Sequence, residues 1–507
     1  MVRRHCGGAR VLCGMIVVFL VGLACIATAQ ATDLTRLQDE LTSIIQATDL
    51  KGGTLGIRVE DVALPQLLYD QNGDIPLKPA SCNKLQTSAA ALYYLGSGYT
   101  YTTRVYYSGQ VKGKKLVGDL VVVGSGDPTI SGRFQKNERD VTRILHEMAK
   151  DIRKAGIKVV TGDVIGDDDY FDDIYFGKGW YPKERAEWYS AEVSALSFND
   201  NCIDILWKGA RKPGRPAKFT LNPETDYVRF VSHVTSGEAK GTADLSYTRE
   251  DKSNSIVAKG SVPAKQEKYD SAAIYNPTLY FVTVFHDVLR DEGVKVQGKP
   301  RDIDTLPEEK KAELRERLRQ VSFFISPPMS EVVKVINRRS QNFYAEQVLK
   351  TLGAEVKGKG SFGAGVEAVQ EFLHKEDIYK PGNIMIDGSG LSYLNRVSAH
   401  QLVDLMRFMN GYKEGVVFFD SLPRGGQERA SLSTRFRDTP EEEAVESRIL
   451  GKTGYIGGVH SLTGMVTNAV GKKMFYSIIV NDFGCTNKEA RDLIDRLVVA
   501  LASSKMI

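Results

Sequence analysis

Apolar and polar residues alternate along 53–60 (Gly-Thr-Leu-Gly-Ile-Arg-Val-Glu) and again along 66–70, the two-residue period of strands with one buried face. Asn72-Gly73-Asp74 and Pro76 end the second run, so the pair predicts a hairpin. From 82 to 95 the chain is rich in Ala and Leu and predicts a buried helix, closed by Gly96 and Gly98. Between about 100 and 265, short β-rich runs dominate, at 102–107, 119–123, 159–165, 203–207, 227–234 and 255–260. Turn clusters such as Gly124-Ser125-Gly126-Asp127-Pro128 and Gly166-Asp167-Asp168-Asp169 separate them, and only 139–155 has a clear amphipathic helical spacing. Helical spacing returns after 275, in 279–292, 308–317, 329–352, 365–375 and 399–410. The C-terminal end predicts three strands (449–454, 462–466, 475–481) and a last helix over 488–501, with the charged stretch 436–447 as a solvated loop.

This order predicts α/β packing interrupted by an insertion: a domain drawn from 30–98 and 266–507, and one or two β-rich domains over 99–265. A hydrophobic fraction of 42% and a charged fraction of 26% exclude a disordered or fibrous chain.

The first 29 residues stand apart. Arg3, Arg4 and Arg10 precede an apolar run from Val11 to Ile26, and Ala27-Thr28-Ala29 supplies the small residues of a cleavage site. The pattern is that of a secretory signal cleaved near Ala29, and the run is shorter than the roughly 20 residues a membrane span needs. A retained anchor is the alternative, and Cys25 leaves a lipoprotein reading to which Gly22 is a poor match. Loss of the three arginines lowers the net charge from +4 to +1, which gives no electrostatic argument for nucleic acid or an anionic membrane. Cys82, Cys202 and Cys485 remain of six cysteines, enough for at most one internal disulfide. No Cys-x-x-Cys or His-Glu-x-x-His occurs, so neither a zinc site nor another cofactor is implied.

Three short motifs carry chemistry. Ser81-Cys82-Asn83-Lys84 opens a predicted helix, where positions three apart share a face. A desolvated lysine there can take the hydroxyl's proton, and helix N–H groups favour a developing anion. About two Ser-x-x-Lys pairs are expected by chance in a chain this long. Ser340-Gln341-Asn342 offers a hydroxyl to relay a proton and an amide to hold a peptide, although alone it reads as a surface cap. Lys452-Thr453-Gly454 falls on a predicted strand, where the glycine lets a substrate approach the backbone and the lysine and threonine suit a carboxylate.

In this order the three form the signature of penicillin-recognising serine enzymes. The flanks Pro79-Ala80 and Ala89-Ala90, Arg339 to Glu346, Asp387-Gly388-Ser389-Gly390-Leu391-Ser392, Gly118-Asp119-Leu120 and Val193 to Asn201 extend the match. Over about 50–500 the chain resembles the penicillin-binding protein 4 type of D-alanyl-D-alanine carboxypeptidase/endopeptidase, a low-molecular-mass class C penicillin-binding protein. The resemblance implies an α/β (α+β) serine transpeptidase-like domain, with an antiparallel sheet between helices on both faces, built from both chain ends around two inserted β-rich domains. The step of 259 positions from Ser81 to Ser340 leaves room for them.

It implies an exported, periplasmic or extracytoplasmic DD-peptidase acting on peptidoglycan stem peptides, with β-lactam antibiotics as covalent inhibitors. Lys84 takes the proton of Ser81, Ser340 and Lys452 pass one to the leaving group, and Asn342 holds the peptide. The backbone N–H groups of Ser81 and Tyr455 hold the oxyanion. Asp167 falls where the family has an acid facing the free amine of the substrate's diamino acid; an acidic turn explains it equally well. Tyr455 departs from the family's usual Thr or Ser after Lys-Thr-Gly, which puts carboxylate recognition in question. His460 replaces a small residue, and histidine's usual surface or intermediate burial reads it as a polar surface group. A β-lactamase using the same serine and a non-catalytic wall-binding protein of the same fold are the rival readings.

Overall fold

The computed structural model describes residues 32–506. The expected signal segment, its cleavage near Ala29 and Cys25 lie outside the described residues. Among the described residues no helix is long and apolar enough to cross a membrane. The chain divides into two compact units, one holding residues up to Leu77, Ser398–Arg407 and Leu422 onward, the other Lys78–Val397 and Phe408–Ser421.

The first unit is built on a five-stranded antiparallel sheet. Its order is Ile449–Ile456, Val459–Thr467, Lys473–Asn481, Thr54–Asp61, Leu67–Gln71. The alternating early hairpin thus pairs with the last strand of the chain, Thr54 opposite Asn481. Leu55, Ile57 and Val59 bury the apolar half of that alternation against the helix 32–46 and the terminal helix Asn487–Ser503, through Leu37, Leu41, Leu493, Leu497 and Leu501. Each such side chain contributes roughly 1.5–3 kcal/mol by leaving water. Thr486 and Glu489 cap the terminal helix reciprocally. Within the charged stretch expected as a loop, Pro440–Val445 is a short helix. Thr439 accepts the Glu442 N–H and Glu441, Glu442 and Glu443 occupy the first turn, where the helix dipole favours negative charge.

The second unit carries the middle of the chain. Thr102–Lys112, Lys115–Val123, Val159–Val160 and Val164–Asp167 share a seven-stranded mixed sheet with Lys295–Val296, Pro300–Asp302 and Leu318–Ile325. The sheet therefore continues past 265, using two strands too short to show any period. Two three-stranded sheets follow, one of Asp244–Thr248, Ser255–Pro263 and Arg229–Gly237, the other of Glu267–Ala273, Cys202–Lys208 and Lys218–Asn222. The helices Arg143–Lys154 and Pro277–Asp291 complete their core.

The remaining helices of this unit position the chemistry. Lys84–Tyr94 packs on Met329–Arg338 and Asn342–Lys357, and its Ala89, Ala90 and Ala91 are fully buried, letting neighbouring helices approach closely. The stretch 329–352 reads as one helix in sequence but forms two, because Ser340 takes a left-handed backbone, φ 58°. Such a conformation costs a non-glycine residue of order 1–3 kcal/mol and collects at functional turns.

Candidate active site

Ser81 lies in the tight turn Ala80–Asn83 that runs into the Lys84–Tyr94 helix. Lys84 is fully buried and Ser81 half-buried. The Lys84 Nζ donates to Ser81 Oγ at 2.8 Å, to Asn342 Oδ1 at 2.6 Å and to the Ser389 carbonyl at 2.8 Å. These three acceptors match the three N–H groups of an ammonium; a neutral amine keeps two of them and turns its lone pair to the hydroxyl. Ala80, just before the serine, is left-handed at φ 46°. Gly390 (φ 82°) packs so tightly there that a Cβ would meet the Ala80 carbonyl oxygen at 1.8 Å, so only glycine fits.

The Ser-x-Asn motif straddles the helix break. Ser340 occupies the turn and Asn342 begins the second helix, its Nδ2 donating to the Tyr189 carbonyl at 2.8 Å. The asparagine is thus fixed at both ends of its amide, between Lys84 and the segment Trp188–Ser190. Gln341 points away, its Nε2 donating to Asp200 at 2.8 Å.

The loop 387–392 was legible only as part of a resemblance, with no role attached; the structure gives it one. Asn83 donates to the Asp387 carbonyl at 2.7 Å and Thr87 to the Gly388 carbonyl at 2.8 Å. From the other helix the buried Glu346 carboxylate accepts the Gly388 and Ser389 N–H groups at 2.9 and 2.7 Å. Asp387 ties the loop to itself through the N–H groups of Gly390 and Ser392, and to Trp180 and Asn395. Burial, with the Asp387 charge beside it, pushes the Glu346 carboxyl well above its ordinary value, and the loop's hydrogen bonds only partly oppose this. The result is a clamp that aims the Ser389 carbonyl at Lys84.

Lys452, Thr453, Gly454 and Tyr455 fall in the other unit, on the edge strand Ile449–Ile456. Lys452 is fully buried, and its Nζ donates to the Thr453 carbonyl at 2.8 Å. Thr453 donates to Ser431 at 2.8 Å, and the Tyr455 ring is 57% exposed. His460 sits directly across the ladder from Tyr455. It has the intermediate burial usual for a histidine, stacked on Phe483 and tilted against Tyr455, with Nε2 3.3 Å from Asn487. Burial pushes its imidazole down from 6.5 to about 4, only partly offset by Asn487.

Asp167 is buried and held by Arg315, whose Nη2 reaches its two oxygens at 3.1 and 2.9 Å. Arg315 also pairs with Asp169. Cys202 and Cys485 are free thiols. Among the described residues, two groups bring metal-ligating atoms together, Glu60–His400–Asp404 and Asp168–Asp302–Asp304. In the first, Arg407 already pairs with Glu60; in the second, Thr278 and Ser194 hydroxyls donate to Asp168.

Similarity to known proteins agrees with the motif reading. The D-alanyl-D-alanine carboxypeptidase of Actinomadura sp. (strain R39) is 29% identical over 501 residues, spanning 94% of this chain and 87% of its own length. The D-alanyl-D-alanine carboxypeptidase DacB of Haemophilus influenzae is 23% identical over 480 residues, spanning 92% and 95%. The crystal structure of penicillin binding protein 4 from H. influenzae superposes with a TM-score of 0.76 at 22% identity, over 91% of this chain and 98% of that one. That likeness establishes the α+β fold of penicillin-recognising serine peptidases. The sequence pattern of one peptidase family runs unbroken from residue 37 to 504, and on that match the chain belongs to the D-Ala-D-Ala carboxypeptidase 3 (S13) family.

Proposed function

We propose that this chain is an exported serine DD-peptidase that hydrolyses the D-alanyl-D-alanine bonds of peptidoglycan stem peptides and cross-links through an acyl-enzyme on Ser81. The observation that carries the reading is the Lys84 amine, 2.8 Å from the Ser81 hydroxyl and held there by Asn342 and Ser389.

In this reading neutral Lys84 accepts the Ser81 proton as Oγ attacks the carbonyl of the penultimate D-alanine. The Ser81 and Tyr455 N–H groups, assigned by motif, take the oxyanion. Lys84 passes that proton on through Ser340, beside Lys452, to the departing nitrogen, so D-alanine leaves as a neutral amine with its carboxylate, Lys84 is a free base again and the ester stays on Ser81. Water then attacks the ester, gives its proton to Lys84, and Oγ recovers it. Asn342 keeps an amide N–H and a carbonyl in the peptide's path, Lys452 and Thr453 suit the terminal carboxylate, and Gly454 admits the substrate to the strand edge. A β-lactam would acylate the same serine, and its tethered leaving group would slow release. The relatives' names support the carboxypeptidase activity, and the H. influenzae protein has been crystallised in complex with a β-lactam.

For Asp167 to meet a substrate amine, Arg315 must give up a carboxylate oxygen; loss of selectivity for a free side-chain amine in Asp167→Asn tests that role. The division into a catalytic domain from 30–98 and 266–507 around an insert belongs to the same reading. The strands of 295–325 that complete the 102–167 sheet support an insert longer than 99–265.

Intact-mass analysis after penicillin tests the function. One penicilloyl group is expected on the wild type and none on Ser81→Ala, with a half-life of minutes to hours. Turnover in milliseconds would make it a β-lactamase, and no adduct at all would make it a non-catalytic wall-binding protein. Digestion of cross-linked muropeptides then separates endopeptidase from carboxypeptidase activity.

A further inference from the structure

A cavity of about 290 Å³ lies beside the Ser340–Asn342 turn, away from the Lys84 cluster. Its wall is polar but its charges are largely matched. Arg133 pairs with Asp200, and Arg339 lies 3.4 Å from Glu138. A third carboxyl, Asp204, is raised by burial to about 7 and so is often protonated near neutrality. A strongly anionic or cationic ligand would find no opposing net charge here, and an apolar one would strand the polar wall.

Just behind the wall three polar atoms are unmatched. Gln341 Oε1, Asp200 Oδ1 and Arg133 Nε are buried, with no hydrogen-bond partner among the described residues. Buried polar atoms are rarely left unmatched without a reason. These are planar amide, carboxylate and guanidinium groups, grouped near one indole. Trp188 lines the cavity and is 39% exposed, whereas Trp180 and Trp207 are 5% and 3% exposed. A flat aromatic face beside planar donors and acceptors suits a neutral pyranose, whose C–H face can stack while its hydroxyl and acetamido groups bond at the edge.

The cavity is wired to the site by two covalent neighbours. Gln341, on its wall, lies between Ser340 and Asn342 in the chain. Trp188 precedes Tyr189, whose carbonyl accepts the Asn342 amide. We infer that the cavity is a saccharide subsite that takes one N-acetylhexosamine of the glycan strand while the stem peptide lies at Ser81. The inference rests on the peptidoglycan reading above.

Two measurements on the full-length protein test it. The first titrates the peptide-free disaccharide of N-acetylglucosamine and N-acetylmuramic acid with its lactyl carboxyl capped as the amide, read by Trp188 fluorescence in the wild type and by calorimetry in all forms. Saturable binding is expected, weakened at least tenfold in Trp188→Ala. The second compares kcat/KM for a stem peptide with and without the attached disaccharide. A several-fold preference for the attached form is expected in the wild type and should fall to one in Trp188→Ala. Penicillin acylation of Ser81, followed in parallel, reports that each variant is folded. Normal acylation with no disaccharide binding overturns the subsite and leaves the peptidase intact. Absent acylation with saturable, Trp188-dependent disaccharide binding overturns the peptidase and keeps the saccharide site. Equal quenching by the free stem peptide overturns the choice of ligand.

Discussion

The Lys84 amine and the Asn342 side-chain carbonyl are 2.6 Å apart, although 258 positions separate them in the chain. The contact exists because the nucleophile helix and the helix after Ser340 pack side by side. It ties the proposed base to the residue proposed to hold the peptide, so a change in either moves both.

Asn342→Asp isolates that coupling. The isosteric carboxylate would meet the lysine at the same distance, hold it charged and leave no lone pair for Ser81. Penicillin acylation should slow by about 10²- to 10⁴-fold, the usual worth of a general base. Lys84→Ala should cost a similar factor without affecting the Ser81 position. Stopped-flow acylation with a chromogenic cephalosporin measures both; an Asn342→Asp variant as fast as the wild type would remove Lys84 from the role of base.

The clamp under Lys84 gives a second expectation. Glu346 accepts two backbone N–H groups with its two oxygens. Glu346→Gln keeps the shape but offers an amide N–H₂ to one of those donors, leaving it unmatched in a fully buried place. Urea denaturation should show a loss of about 1–3 kcal/mol. Acylation should slow too, since the Ser389 carbonyl that holds Lys84 depends on this loop. Unchanged stability and rate together would mean the loop holds its shape without Glu346.

How much of this was written in the sequence depends on distance along the chain. The early hairpin, the Ala-rich helix and the closing strands were legible because each has a regular period, and the three motifs because their spacing is local. The helix break at Ser340 was not, since apolar spacing runs on through 329–352 and a left-handed serine leaves no trace in composition. Lys218–Asn222 and Asp244–Thr248 were missed because most of their residues are exposed or only partly buried, so no apolar stripe marks them. The contacts of Lys84 with Asn342 and Ser389 span hundreds of positions and follow only from packing. His460 has the intermediate burial usual for its type, but its stacking on Phe483 and its place across from Tyr455 follow only from the strand pairing.

Tyr455 stands where the resemblance expects a hydroxyl for the terminal carboxylate, and its ring is largely exposed. On the proposed reading, a ring in place of that hydroxyl would favour a substrate continuing past the cut bond over one ending in a free carboxylate. Tyr455→Thr should therefore raise D-alanine release from free stem peptides about tenfold relative to cleavage of cross-linked dimers, as read by chromatography of digested muropeptides. The backbone N–H is kept, so penicillin acylation should change little. No shift in the ratio would remove Tyr455 from substrate choice.

His460 couples this strand pair to pH. Its folded imidazole titrates near 4 against an ordinary 6.5, chiefly because the ring is buried between Tyr455 and Phe483, with Arg435 and Arg491 adding to the effect. Above 6.5 the ring is neutral folded or unfolded, so its neutrality adds full stability there. As pH falls from 6.5 toward 4 the unfolded chain takes up a proton that the folded chain refuses, and stability declines; below 4 both are protonated and the loss is complete. The span is worth about 3 kcal/mol at most, and solvent reaching a partly buried ring reduces it to about 1–2 kcal/mol. Carboxylates elsewhere also titrate in this range, so the measurement is a difference. Urea unfolding at pH 7.5 and 4.5 should show the wild type losing about 1–2 kcal/mol more than His460→Phe, which keeps the stack and removes the proton site. Equal losses in the two proteins would mean that His460 titrates normally and that the ring is open to water.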